Sequence, residues 1–274
     1  MTISRTLERC VQRPLRRGVS RDGVLSGSGY TFSDSDAEAY VTLVETADGE
    51  TLENGVKEAI DNFVAGCKTD GIWADINAAV ILAGARTLTG ALVPLKGTAP
   101  TNVNFVSGDY SRTNGLTGNG STKYLNSNRA ADADDFEDMH LSVYVTGSRE
   151  TGVGGYIGGS ASSPHAVLGN ATGFRARVNS ATLRTLGTGT TVPSCIAVSR
   201  PNAAGYDWCG LGQSGNQVDA RVGGETGDIT VFARGGASLS ACRLAFYSIG
   251  SATTLADLDS RIATLVSAIG TALA

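Results

Sequence analysis

The side chains able to do chemistry are few in this 274-residue chain, and they are scattered. Neither of its two histidines, His140 and His165, belongs to an H-E-x-x-H, H-x-H or C-x-x-C spacing, so a transition-metal centre is not expected. A G-x-S-x-G nucleophile elbow is missing as well. The densest carboxylate run is ADADDFEDMH, residues 131–140. Several oxygens close together would suit calcium, but the loop glycine and twelve-residue spacing of an EF-hand are absent, and a solvated acidic turn is the competing reading. Glycoside hydrolysis by paired carboxylates needs acids two apart on a strand face, and the strand candidates hold only the isolated acids Asp219 and Asp228. The expectation is a protein that is not an enzyme and carries no cofactor and no metal. Tyr206 and Trp208, in NAAGYDWCGLG, are candidates for stacking on sugar rings, with core filling by Trp208 as the alternative.

Of the five cysteines, Cys67, Cys195 and Cys242 fall on apolar faces, where a thiol behaves as a small hydrophobe. Cys10 does not. It sits in an arginine-rich arm, where Ile3, Leu7 and Cys10 share one helical face and Arg5, Arg9 and Arg13 share another, before Pro14 ends the run. Arg16 and Arg17 extend the basic surface. A helix this short is marginal in water and should form on a partner, with the apolar face buried and the arginines paired to carboxylates. Neighbouring guanidinium groups favour the thiolate, so Cys10 is a candidate for an inter-chain disulfide; a free thiol in a tail is the plain alternative.

The elements that must position these residues fall into three regions. Residues 1–33 form the arm and end in a Gly/Ser-rich joint. Residues 34–86 read as helical. Ser35 and Glu38 have capping-box spacing, a second stripe runs from Leu52 to Cys67, and a short apolar helix is expected over Trp73–Ala83. Each stripe needs a partner surface, and other copies of the chain are one source. From residue 87 the period alternates, with short strand candidates about ten residues apart separated by glycine-rich turns, and residues 253–273 add a final apolar stripe.

Composition agrees with many turns and little helix: 36 glycines, 6% aromatic and 18% charged residues. The net charge of −4 conceals a split, because residues 1–29 carry six Arg against Glu8 and Asp22, giving +4, and leave −8 on the rest. A basic arm on an acidic body suits docking to an acidic protein surface. Without interleaved aromatics the arm is not expected to bind nucleic acid. No apolar run is long enough to insert in a membrane, and no apolar segment opens the chain as a secretory signal would.

The segments GARTLTGALVPLKGTAPTNVNFVSGDYSRTNGLTGNGSTKYLNSNR and RLAFYSIGSATTLADLDSRIATLVSAIGTAL resemble tailed-bacteriophage virion proteins of the cyanophage type that carry a concanavalin A-like, laminin G-like jelly roll. The resemblance covers roughly residues 85–270 and brings no catalytic motif. It implies a mostly β chain with a concanavalin A-like antiparallel jelly-roll sandwich followed by a C-terminal helix, which the arm and short helices read from the residue pattern precede. The regions then read as an attachment arm (1–33), a helical oligomerisation or linker segment (34–86) and a lectin-like sandwich with its terminal helix (87–274). The function implied is a virion structural protein made in the host cytoplasm. A short tail fibre, trimeric, docked to a baseplate and facing host surface polysaccharide, comes first. A capsid cement or head-decoration protein is the alternative, and a polysaccharide depolymerase is disfavoured.

Overall fold

The computed structural model describes residues 29–160 and 164–274. Residues 1–28 of the arm, and with them Ile3, Arg5, Leu7, Arg9, Cys10, Arg13, Arg16 and Arg17, lie outside the described residues.

Helix α1 spans Ser35–Asp48, and its cap is Asp34 rather than the expected Ser35–Glu38 box. The Asp34 carboxylate accepts the N–H groups of Asp36 at 2.9 Å and Ala37 at 3.4 Å. Gly49 ends the helix in the left-handed region at φ 71°, a conformation in which a side chain would be strained. Helix α2, Asn54–Thr69, follows directly. The third expected helix is instead strand β1, Ile76–Ile81, which pairs along the last strand of the chain. Five of its six residues are buried, and a short run that is apolar on both faces carries no period to separate strand from helix.

A short helix α3, Leu88–Ala91, precedes the sandwich strands β2 (Thr101–Val103), β3 (Tyr110–Ser111), β4 (Gly115–Thr117), β5 (Tyr124–Ala130), β6 (Met139–Val145) and β7 (Gly155–Gly158). They continue as β8 (Ala166–Asn170), β9 (Gly173–Arg177), β10 (Arg184–Thr188), β11 (Ser194–Asn202), β12 (Gly205–Gly210), β13 (Gln213–Val218), β14 (Asp228–Val231) and β15 (Arg243–Gly250), and helix α4, Leu255–Ala272, closes the chain. Two antiparallel sheets result. The first has the order β13-β12-β11-β6-β15-β4-β3, with β1 also on β15; the second has the order β10-β9-β8-β7-β14-β5-β2. The mostly β sandwich with a C-terminal helix expected from the sequence is the fold observed.

Alternation places Leu141, Val143, Ile196, Val198, Leu244 and Ile249 of the first sheet against Val167, Phe174, Ala176, Ile229 and Val231 of the second. The opposite face of the first sheet is covered within the same chain. Tyr144, Cys195, Ala197 and Phe246 join the stripes of α1, α2 and α4 in a second core, where Phe63 meets Phe246 edge-on at 5.6 Å. Helix α4 buries Leu255, Leu258, Ile262, Leu265, Val266 and Ile269, at roughly 2 kcal/mol for each fully buried aliphatic side chain. Close approach of α2 to α4 is marked at Gly55, where a Cβ would lie 2.8 Å from the Ala272 Cβ. Asp61, 2% exposed on α2, accepts hydrogen bonds from the Tyr30 hydroxyl, the Ser33 N–H and hydroxyl, and the Asp34 N–H, all within 3.0 Å. That carboxylate pins the last residues of the arm onto the helices.

Candidate functional site

Helix α4 covers only part of the first sheet. Beyond its first turn a groove of about 840 Å³ remains open over β11, β12 and β13. Its floor comes from alternate residues that point away from the sandwich core, including Ser199, Asp207, Cys209 and Ser214. Its wall is the turn Ala252–Thr254 and the start of α4, with Leu255, Ala256 and Asp259. Asp75, from the loop before β1, closes one end.

Floor and wall are joined by one reciprocal pair. The Ser199 hydroxyl donates to the Thr253 carbonyl at 2.9 Å and accepts the Thr253 N–H at 2.9 Å. The turn is held from the other side by Asp138, which accepts the Ala252 N–H at 2.6 Å. Ser194 is committed to structure, since its hydroxyl donates to the Cys195 carbonyl and accepts the Leu211 N–H at 2.7 Å. Gln213 is committed as well, clamping Thr188 of the second sheet through both amide atoms. The groups left to face a ligand are Asp75, Asp207, Ser214, Thr254 and Asp259. Asp207 is exposed and accepts the Asn216 amide at 2.9 Å. Burial between α4 and the first sheet raises the Asp259 carboxyl above the usual carboxylate range, against a smaller opposing effect of the Cys195 backbone. No lysine or arginine lines the groove, so its field is negative.

The aromatics singled out in the sequence lie on the other face of β12. Tyr206 is 0% exposed, donates to the Ala176 carbonyl at 3.2 Å and lies under the Arg200 guanidinium, which corrects its placement as a sugar platform. The stretch that reads as a glycine-rich turn is a strand, and alternation turns Tyr206 and Trp208 inward while Asp207 and Cys209 face out. The Trp208 ring meets Phe174 edge-on at 5.9 Å and is slotted against Gly187 and Gly215 at the edge of the core, so its contribution to the groove is backbone.

The acidic run is largely used up in structure. Asp134 pairs with Arg129 and accepts the Asn77 amide at 2.7 Å, while Asp135 caps the Glu137 N–H at 2.9 Å. Among the described residues no group of three or more His, Cys, Asp or Glu is placed to hold a metal ion. His140 is buried and donates from Nδ1 to the Ser251 carbonyl at 2.6 Å, which leaves Nε2 to accept from Ser248 at 2.8 Å. His165 is buried beside Asn179, and desolvation lowers its pKa to about 4.

Asp259 and Asp207 are the groove residues that sequence reasoning missed. The signal for Asp259 was present: Leu255, Asp259 and Ile262 are spaced four and three apart, so an acid sits on the buried face of the last helix.

No protein-family model and no curated protein matches the chain. Solved structures similar to it include the binding domain of botulinum neurotoxin serotype D, at 11% identity and a TM-score of 0.48, over 69% of this chain and 51% of that one. Trypanosoma rangeli sialidase is similar at 11% identity and a TM-score of 0.46, over 78% of this chain and 40% of that one. The enzymatically active domain of tailspike protein 2 from bacteriophage CBA120 is similar at 18% identity and a TM-score of 0.36, over 58% of this chain and 28% of that one. The chain thus spans about half the length of the neurotoxin domain. These likenesses concern the fold and assign no activity.

They do correct the exclusion of enzymes made from the sequence, because a sialidase and an enzymatically active tailspike domain are among the structures similar to this chain. Asp207 on β12 and Asp259 on α4 enter one groove from separate elements, a convergence that no spacing within one strand reveals. None of the four helices is long and apolar enough to cross a membrane, among the described residues.

Proposed function

We propose that the chain is a carbohydrate-recognising β-sandwich of a tailed-bacteriophage virion, and that the groove beside α4 is where a sugar chain binds. The observation that carries this reading is the groove itself: a preformed concavity whose ligand-facing groups are carboxylates and hydroxyls. Carboxylate oxygens accept pairs of sugar hydroxyls, and a lining without cations suits a neutral polysaccharide. The resemblance of residues 85–270 to virion proteins supports the setting, with the basic arm as the anchor to a baseplate, or alternatively to a capsid surface. A short, trimeric tail fibre is the particular form proposed.

Asp259 favours a second reading, in which the groove cleaves what it binds. Burial pushes the Asp259 carboxyl upward, the direction that suits a general acid, and Asp207 places a second carboxyl group in the same groove.

Calorimetric titration of neutral host polysaccharide fragments into the wild-type chain and Asp207→Ala tests the first reading. Saturable binding that weakens about tenfold or more in the variant is expected. Equal affinity of the two proteins would contradict it. New reducing ends from wild type but not from Asp259→Asn would establish the second reading; none from wild type would remove it.

A further inference from the structure

The groove beside α4 is lined by three carboxyl groups, each from a different element: Asp75 from the loop before β1, Asp207 from β12 and Asp259 from α4. None of the three is in an ion pair among the described residues. Their hydrogen-bond partners are neutral: Asp207 has the Asn216 amide and Asp259 the Cys195 backbone. The charge of Lys96 reaches Asp75, but its ammonium is held 2.7 Å from the Trp73 carbonyl and 4.6 Å from the centre of the Trp73 ring, and Lys96 does not line the groove. Acids of the neighbouring helices are matched instead, Asp70 by Arg261 and Asp34 by Lys68. A cleft lined by one sign of charge concentrates ligands of the other sign.

Two further observations say what kind of cation fits. Among the described residues no three acids are placed to hold one metal ion, so these carboxyl groups are spread along the groove rather than gathered on a point. Spread acids match positive charges spread along a chain. In the wall, the Thr253 hydroxyl is buried without a hydrogen-bond partner among the described residues, a cost that a polar ligand would recover. Burial raises the Asp259 carboxyl, and an ammonium group beside it would act in the opposite direction. Lysine and arginine side chains offer donors only, whereas an amino sugar brings ammonium donors together with hydroxyl oxygens for Thr253, Thr254 and Ser214.

We infer that the groove selects a polysaccharide carrying free amino groups, with ammonium groups set against Asp75, Asp207 and Asp259 and sugar hydroxyls against Thr253, Thr254 and Ser214. This rests on the reading of the groove as a sugar site and narrows it. A neutral sugar supplies hydroxyls alone, while an amino sugar also supplies the charge that the lining lacks. Hydrogen bonds between ammonium and carboxylate are shorter and about twice as strong as neutral ones, so the charged sugar is preferred over a neutral sugar of the same shape.

The test titrates a glucosamine hexamer, the N-acetylglucosamine hexamer of the same linkage and a lysine hexamer into the full chain at low and physiological salt. At low salt the glucosamine hexamer should bind about tenfold or more tightly than its acetylated counterpart, and the ratio should shrink as salt rises. Asp75→Asn and Asp259→Asn should each lower that ratio about threefold or more. Asp132→Asn, at an exposed acid outside the groove, should leave it unchanged. Thr253→Val removes a hydroxyl that has no partner in the chain, so it should weaken hexamer binding without lowering the melting temperature. Circular dichroism and thermal melting check that each variant is folded; if Asp259→Asn is misfolded, Asp75→Asn and Thr253→Val decide. No binding of the glucosamine hexamer, equal affinity for the two sugars, a ratio unchanged in the Asn variants, or tighter binding of the lysine hexamer would each overturn the inference. If neutral host fragments still bind and weaken in Asp207→Ala, the groove remains a sugar site and only its preference for amino sugars falls. Failure of both sugars and of the neutral host fragments removes the two readings together.

Discussion

Ser199 and Thr253 hold each other by two hydrogen bonds of 2.9 Å, one given and one received by the same hydroxyl. Strand β11 and the turn into α4 are thereby fixed against each other where the floor of the groove meets its wall. Replacing Ser199 with Ala leaves the Thr253 N–H and carbonyl without their partner. The expected loss is about 2 kcal/mol in urea unfolding, together with weaker binding of neutral sugar. Unchanged stability and affinity would mean that the pair does not set the groove.

Asp61 links the arm to the body. Four donors converge on its two oxygens, and they come from Tyr30, Ser33 and Asp34. Asp61→Ala is expected to cost about 3 kcal/mol and to speed amide exchange across residues 30–34 beyond that of the rest of α2. Uniform acceleration along the whole chain would place the effect in global unfolding instead.

Stability should fall on mild acidification because of His165. Its folded pKa is depressed to about 4 from an ordinary 6.5, so the unfolded chain takes up the proton first. The contribution is complete above pH 6.5 and is lost as pH falls toward 4. Between pH 7 and 5 the wild type is expected to lose about 2 kcal/mol more than His165→Gln. His140, also depressed by burial, acts in the same direction. Parallel pH profiles for wild type and His165→Gln would contradict this account.

Thiol chemistry should distinguish the body from the arm. Cys67 and Cys242 are buried and their pKa values are pushed up to about 12, and Cys195, beside Cys209, is raised as well. These thiols are expected to resist alkylation until the chain unfolds, leaving Cys10 as the group available for an inter-chain bridge. Rapid native labelling of any of the four body cysteines, read by peptide mass, would count against that arrangement.

The sandwich was legible in the sequence because its strands are short runs rich in β-branched and aromatic residues between glycine-rich turns, even where, as in SCIAVSR and CRLAFYSI, both faces are buried. Strand β1 was not, since INAAVI follows two helices and its partner, β15, lies at the far end of the chain. Helix α4 was visible as a stripe, but the stripe did not say whether it would meet a sister chain or its own sheet. Packing of Phe246, Ala197 and Cys195 against it supplies the answer. The groove was least legible. NAAGYDWCGLG reads as a glycine-rich turn, and only as a strand does it separate Asp207 from Tyr206 and Trp208 by face.

Hydrogen exchange measured with and without a neutral host polysaccharide fragment tests the central claim most directly. Binding in the groove should slow exchange at residues 207–215 and 252–259 and leave the second sheet, including β9, unchanged. Protection confined to the second sheet, or none at saturating fragment, would contradict the assignment of the groove as the sugar-binding site.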